Sequence, residues 1–506
     1  MTQELEMLDD RSYHFRLRVY NEDGKHMTIR KGAIEELVIE DNILDFHHHG
    51  YLIFQNPHDM IERATVKHVR DEEIPLETFR FRGDARDYLD FAMHPNLDSD
   101  LANSSVFKSD FYSLDFNFVI YKIEDLPADN ASEKKKKIYF HDRRYQRLLE
   151  RDIYWHSGQA AIRQKETVHS KPLSQMSDYD RSIRTGSGIK DIIETVLPGS
   201  RFSPDWDNGA RRVFYTTPAN SKAIDDLQSI FNKHVSSDDT NNQPSILKFE
   251  RYSKTWSLNP ISYYFNRAYN KSTQDPGAYQ NERFVISAQT DAAGSTGSPT
   301  KSPTTSRPSP VNNVYLPGLG EITGYVYTEM PGADNQKFIV STPIHTYHTK
   351  EREFMFYHQK TSIESMYNFF KETVTDKCMG DTTGPFTEFF INNTKKSNKN
   401  VNLVHSTHDD TLGVLIDSRN SVLRTALYSG GSIMFESKGS TNRRTGRFIS
   451  IDRNDPYNNN DFDSKLLGQY FVTKITHRLT PDGYFNSIIG VKPYYYSAVD
   501  FNNDIQ

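Results

Sequence analysis

Cysteine is almost absent from this chain. A single Cys378 in 506 residues excludes an intrachain disulfide and a cysteine-rich metal centre, and it points to folding in a reducing compartment. A basic excess is missing too: 61 Lys and Arg stand against 67 Asp and Glu, a formal net charge of −6. The chain therefore carries no electrostatic footprint for gripping phosphate backbones, and sequence-specific nucleic-acid binding is not expected. No apolar run of about 18 residues occurs, so no membrane-spanning helix is expected. The acidic stretch Met1 to Asp10 has neither the basic flank nor the apolar core of a secretory leader, which reads as a cytosolic start. Gly-x-Ser-x-Gly and Gly-x-x-x-x-Gly-Lys are also missing, so a hydrolase elbow and a phosphate-binding loop are both unexpected.

Aromatic rings are plentiful: 31 Phe and 29 Tyr can build cores in an otherwise polar chain of several domains. The first hundred-odd residues alternate. Phe15, Leu17 and Val19 interleave with His14, Arg16 and Arg18, and Asn21 to Gly24 supplies a turn before Met27 and Ile29, a hairpin signature. Apolar segments follow at Ile34 to Ile39, Tyr51 to Phe54, Phe79 to Phe81 and Leu114 to Ile123. In the last, Leu114, Phe116, Phe118 and Ile120 fall on one face, as in a half-buried strand. The period then changes: Ile189, Ile192, Ile193, Val196 and Leu197 have helical spacing and end at Pro198-Gly199, while Asn220-Ser221 offers an N-cap to a second helix through Ile224, Leu227 and Phe231. Of the 24 residues 287–310, 20 are Ser, Thr, Pro, Gly or Ala, a linker or long loop. Beyond it, Ile322 to Tyr327 and Phe338 to Val340 read as strands and Ile363 to Phe370 as a helix; Phe448 to Ile451, Tyr470 to Leu479 and Tyr484 to Val491 read as strands again, with a turn at Pro481-Asp482-Gly483.

Few constellations invite chemistry. In His47-His48-His49 alternation allows only His47 and His49 to share a ligand, and with no companion carboxylate or cysteine the run reads as a polar strand end. His405, His408 and Asp409 form the sharpest enzymatic candidate, since histidines and an aspartate in one loop can bind zinc or iron and activate water. Their spacing departs from His-x-His-x-Asp-His, and they read as a structural loop. Cys378 lacks a cysteine-protease context. Glu72-Glu73, Asp225-Asp226 and Asp238-Asp239 read as solvated faces, Lys134 to Lys137 as a solvated loop tip, and Tyr494 to Tyr496 as a strand or a partner patch.

Between Thr217 and Ala268 the sequence becomes distinctive. Thr217-Pro218, the stretch Ile224 to Leu227 running on to His234 to Ser237, Leu247 to Arg251, Trp256 to Leu258 and Tyr264-Phe265 resemble the central stretch of baseplate hub proteins from contractile-tailed bacteriophages. Phe462 to Tyr470, Thr476-His477 and Tyr484 to Asn486 are similar to the way those hubs finish, and Phe79 to Gly83 with the early hairpins fits their first tube domain. The resemblance implies an α+β, β-rich chain with two antiparallel β-barrel tube domains and additional mixed α/β domains. It places the first tube domain at 1–125, a mixed α/β domain at 126–245, the second tube domain at 246–286 and 401–506, and an inserted α/β domain at 311–400. It further implies a homotrimer whose six barrels surround a channel and join a central spike to the tail tube. Tail tube or tube-initiator proteins, baseplate wedge proteins and the tape-measure protein are the other implied partners, with residence in the virion baseplate after assembly in the host cytoplasm. No cofactor, metal or catalytic residue is implied. Trp256, Leu258 and Phe265 are expected packing anchors. The rival reading is a metal-dependent virion hydrolase built on His405, His408 and Asp409; a receptor-binding tail protein is a third.

Overall fold

The computed structural model describes residues 6–7, 13–22, 26–55, 67–69, 72–74, 86–95, 114–127, 135–166, 181–218, 220–237, 245–251, 253–261, 263–264, 282–286, 319–322, 325–329, 341–348, 353–360, 404–406, 431–441, 443–453 and 468–492. Alternation organises the first part. In β1 (Tyr13–Tyr20) every second residue from Tyr13 to Val19 is buried, and β1 turns into β2 (His26–Thr28) with Tyr20 opposite His26, the hairpin expected at Asn21 to Gly24. There follow β3 (Ile34–Asn42), β4 (His49–Gln55), β5 (Asp87–Pro95), β6 (Leu114–Leu126) and β7 (Lys135–Asp142). They pair antiparallel in the order β1-β5-β6-β7-β4-β3. One face of all six enters a single apolar core that includes Phe15, Leu37, Leu52, Phe91, Phe118 and Phe140. Each ring or branched side chain so enclosed contributes about 1.5–3 kcal/mol.

Lys135, Lys136 and Lys137 are not a loop tip. They open β7, paired on both edges, because each charge finds a cross-strand partner: Lys135 meets Glu35 at 2.9 Å, Lys136 meets Asp125 at 3.0 Å, and the Lys137 ammonium lies 4.1 Å from the centre of the Tyr51 ring. Lys134 lies outside the described residues.

Helices then cover a second core. These are α1 (Arg143–Glu150), α2 (Ser157–Arg163), α3 (Thr185–Val196) and α4 (Ala223–Asn232). Helix α3 begins four residues before the apolar periodicity does. Its first turn is Thr185-Gly186-Ser187-Gly188, and a Cβ on Gly186 would sit 2.0 Å from the Asp207 carbonyl oxygen, so close backbone approach rather than side-chain burial sets that end. The expected cap of α4 is also shifted. Lys222 holds the N-cap without a side-chain bond, while Ser221 donates instead to Asp226 at 2.9 Å. Asp226 also accepts from the Tyr215 hydroxyl at 2.8 Å and is fully buried, which corrects the reading of Asp225-Asp226 as a solvated face; only Asp225 is exposed.

The hairpin β8 (Ser245–Glu250) and β9 (Thr255–Pro260) shares the helical core. Leu247, Phe249, Trp256 and Leu258 pack with Ile189, Ile193, Leu227 and Ile230. The sequence reading grouped this segment with the last strands; its large rings instead complete the helical layer. Trp256 and Leu258 are buried as expected, and Phe265 lies outside the described residues.

The chain closes with β10 (Gly431–Lys438), β11 (Phe448–Arg453), β12 (Gly468–Thr480) and β13 (Gly483–Lys492) around Ile433, Phe435, Ile451, Val472 and Ile488. The hairpin at Pro481-Asp482-Gly483 falls where the sequence places it. Strand β12 gives one edge to β13 and the other first to β11, then, past a bulge at Thr473, to β3. This last pairing makes one continuous sheet from the two β-rich ends. The sheet is mainly antiparallel, with parallel exceptions where Glu282–Ile286 lies between β11 and Leu319–Ile322. Among the described residues β2 and the short strand Glu6–Met7 lie beyond β1, and none of these three pairs with β3, so the path of the first sheet stays open. The linker 287–310, the strand at Phe338 to Val340, the helix at Ile363 to Phe370, and the segments at Phe79 to Gly83 and Tyr494 to Tyr496 fall outside the described residues. No helix among them is long and apolar enough to cross a membrane.

Candidate functional site at the joint of the two sheets

Strand β3 carries the pattern Leu37, Ile39, Asp41 on its core face. Asp41 occupies a position where alternation calls for an apolar residue, and it pairs in register with Ile475 of β12. Such a carboxylate is costly unless paired and hydrogen-bonded. Lys248 of β8 reaches it at 3.0 Å, Thr445 of the β10–β11 connection donates to it at 3.2 Å, and His48 lies 3.6 Å away. Lys248 also bonds Thr445. One buried carboxylate thus ties the first sheet, the β8–β9 hairpin and the last sheet together. Burial pushes its proton affinity up, but the Lys248 ammonium, by its charge and its hydrogen bond and with Arg251 nearby, outweighs that and holds the carboxyl well below the usual range. His48 is pressed down to about 3, chiefly by burial and against the pull of Asp41, so it is neutral at physiological pH.

A second buried network braces the β10–β11 connection. Asn486 accepts from the Ser440 backbone N–H at 2.7 Å and from Arg443 at 2.9 Å, and Arg443 also donates to Ser437 at 2.8 Å. His477 Nδ1 lies 2.6 Å from the Tyr484 hydroxyl and 3.0 Å from Asn486 Nδ2. Burial, with Arg251 nearby, holds the His477 imidazole well below its ordinary value. Tyr13 of the first strand donates to the Gly439 carbonyl at 3.2 Å and meets the Tyr484 ring edge-on at 5.2 Å. On the opposite face, cross-strand charges continue the joint: Arg478 donates to Glu36 at 2.8 Å and Lys474 meets Glu40 at 2.6 Å. A bond from His49, opposed by burial and aided by Lys474, draws Glu40 down to about 2.

The three consecutive histidines obey alternation. His48 faces the joint, while His47 stacks on Tyr145 at 3.6 Å with His49 at 5.5 Å on the same side. Burial and the neighbouring His49 and His141 press His47 down to about 3. Among the described residues no three His, Cys, Asp or Glu side chains converge on a metal-sized site. His405 lies in a short strand, Val404–Ser406, opposite His345 of Ser341–His348; His408, Asp409, Cys378 and Asp238-Asp239 lie outside the described residues. Glu72-Glu73 belong to a short strand paired with Lys67–Val69. Sequence reasoning missed Asp41, Lys248, Arg443 and Thr445. The available signal was a charged residue in an apolar phase: Asp41 after Leu37 and Ile39, and Lys248 inside Ile246-Leu247-Lys248-Phe249.

No protein-family profile and no curated protein sequence matches the chain. Solved structures similar to it include tail and baseplate proteins. A tail protein from Neisseria meningitidis is 7% identical with TM-score 0.43, over 97% of this chain and 99% of that one. A 43 kDa tail protein of prophage MuSo2 from Shewanella oneidensis is 8% identical with TM-score 0.41, over 96% and 99%. The Francisella PdpA-VgrG complex contains a chain 10% identical with TM-score 0.42, over 95% of this chain and 58% of that chain.

Proposed function

We propose that this chain is a structural hub subunit of a contractile phage-tail baseplate. Three copies form a ring, each chain giving two β-walls, the first from 1–125 completed by β7 and the second from 401–506 with Glu282–Ile286, so that six walls surround a channel. The ring joins a central spike to the tail tube or its initiator, contacts wedge and tape-measure proteins, and lets DNA pass. The observation that carries this reading is the β3–β12 pairing with the buried Asp41 network beneath it. Two β-walls of one chain are held in a fixed relation by a ladder and a desolvated ion pair, which is what a load-transmitting ring segment needs and a hinged pair of domains lacks. A ring also covers sheet edges that a lone subunit would leave open, and a net charge of −6 suits a passage that must not hold phosphates.

Light scattering with negative-stain imaging, on the chain alone and with a candidate spike protein, tests it. A ring with a central hole at 175.5 kDa, three times the 58.5 kDa chain, is expected, formed alone or on the spike. A monomer that ignores the spike and holds near-stoichiometric zinc or iron, lost on His408→Ala, would replace the hub with a hydrolase.

A further inference from the structure

Beside the joint a cleft of about 380 Å³ opens where β6, α1 and the turn between β8 and β9 meet. Its wall gathers five cationic side chains, Arg143, Arg144, Arg147, Arg251 and Lys254, in a chain whose net charge is negative. Asp142 and Asp115 are the acids of this wall. Asp142 is occupied as the N-cap of α1 and by Arg144 at 2.9 Å, and Asp115 is exposed. Arg143, Arg147 and Lys254 are exposed and make no ion pair among the described residues. Moreover, Arg143 and Arg144 stand in the first turn of α1, which holds no acidic residue. Cations there oppose the helix dipole and cost about 0.3–1 kcal/mol each. Asp142 and the Phe249 ring hold Arg144 in place, and the Tyr88 ring, 4.8 Å away, holds Arg143; Arg147 and Lys254 have no ion pair of this kind among the described residues.

The chemistry of the wall selects among anions. Its two phenyl rings are already covered, the Arg144 guanidinium lying 3.7 Å from the centre of Phe249 and that of Arg251 5.0 Å from the centre of Phe116, and the His48 ring is buried edge-on against Phe116. They offer no open platform for stacking bases, the feature that single-stranded nucleic acid requires. Guanidinium groups pair through two oxygens with carboxylates and phosphates alike, so it is the lack of an open stacking ring that favours a carboxylate peptide over a nucleic acid. We propose that this cleft binds a carboxylate-rich peptide segment of a protein partner. The inference rests on the cleft alone and stands apart from the hub reading.

The test uses the full chain and a fluorescein-labelled hexaglutamate peptide, read by anisotropy at low salt. Binding is expected to the parent protein and to Lys438→Glu, whose site lies outside the cleft. It is expected to weaken about tenfold or more in the exposed charge reversals Arg147→Glu with Lys254→Glu, with unchanged circular dichroism. An equally charged thymidine oligonucleotide serves as the rival probe and is expected to bind more weakly than the peptide. Oligonucleotide binding as tight as that of the peptide, no peptide binding at all, or peptide binding indifferent to the two reversals would each overturn the proposal.

Discussion

At Asp41 the balance of burial and pairing has a measurable sign. Asp41→Asn leaves the Lys248 ammonium buried without its partner, and stability should fall by about 3–5 kcal/mol in urea unfolding. Adding Lys248→Met removes the orphaned charge and should recover much of that loss; a double variant as unstable as the single would disprove the pairing. His48 sets a pH window. It stays neutral in the fold down to about 3, whereas an imidazole in the unfolded chain titrates near 6.5, so below pH 6.5 the unfolded state binds the extra proton. Stability is therefore full above 6.5 and declines as pH falls, by roughly 2 kcal/mol at pH 5. Glu40, held down to about 2, adds a loss in the same direction below its ordinary 4.5. Urea midpoints at a series of pH values should show the slope, and His48→Gln should lessen it between pH 6.5 and 5, with His47 and His477 supplying a further part of it. Gly50, next to these histidines, has no space for a side chain: a Cβ would stand 1.9 Å from the Val38 carbonyl oxygen. Gly50→Ala should destabilise by about 2 kcal/mol or more, whereas Gly32→Ala, where a Cβ meets nothing within 4 Å, should be close to neutral.

Elements were legible where one segment contained its own reason. The β1–β2 and β12–β13 hairpins each combine alternation with a local turn, and α3 shows its stripe at Ile189 to Val196. Legibility ended where the reason lay elsewhere in the chain. Lys135 to Lys137 looked like a loop because their partners, Glu35 and Asp125, belong to other strands. The hairpin β8–β9 is buried on both faces, so its pattern gives no sign of which core it serves. The site was illegible for the same reason, since Lys248 and Thr445 stand 207 and 404 residues from Asp41. The joint itself is an element-scale object, and proline tests it. Thr476 faces Glu40 of β3 and Ser487 of β13, in the middle of a strand paired on both edges. Thr476→Pro cannot serve a strand in that position, so limited proteolysis should release the two β-rich ends as separate fragments. Thr480→Pro, at the end of β12, should leave them joined.

Over the whole molecule, composition and alternation conveyed a β-rich chain with a helical middle, and the fold agrees. How the two β-rich ends meet was beyond a single sequence, because pairing across such a distance leaves no local period. That distance also orders the molecule's birth. On a ribosome, β3 emerges early and its partner segment Lys474 to Leu479 about 430 residues later, a wait of roughly 20–90 s at ordinary elongation rates. Throughout that interval the outer edge of β3 is an unclaimed template. Neighbouring ribosomes on one message hold such templates close together, so the timing of release, rather than the strength of the finished ladder, decides whether β12 returns to its own chain or is exchanged with the next.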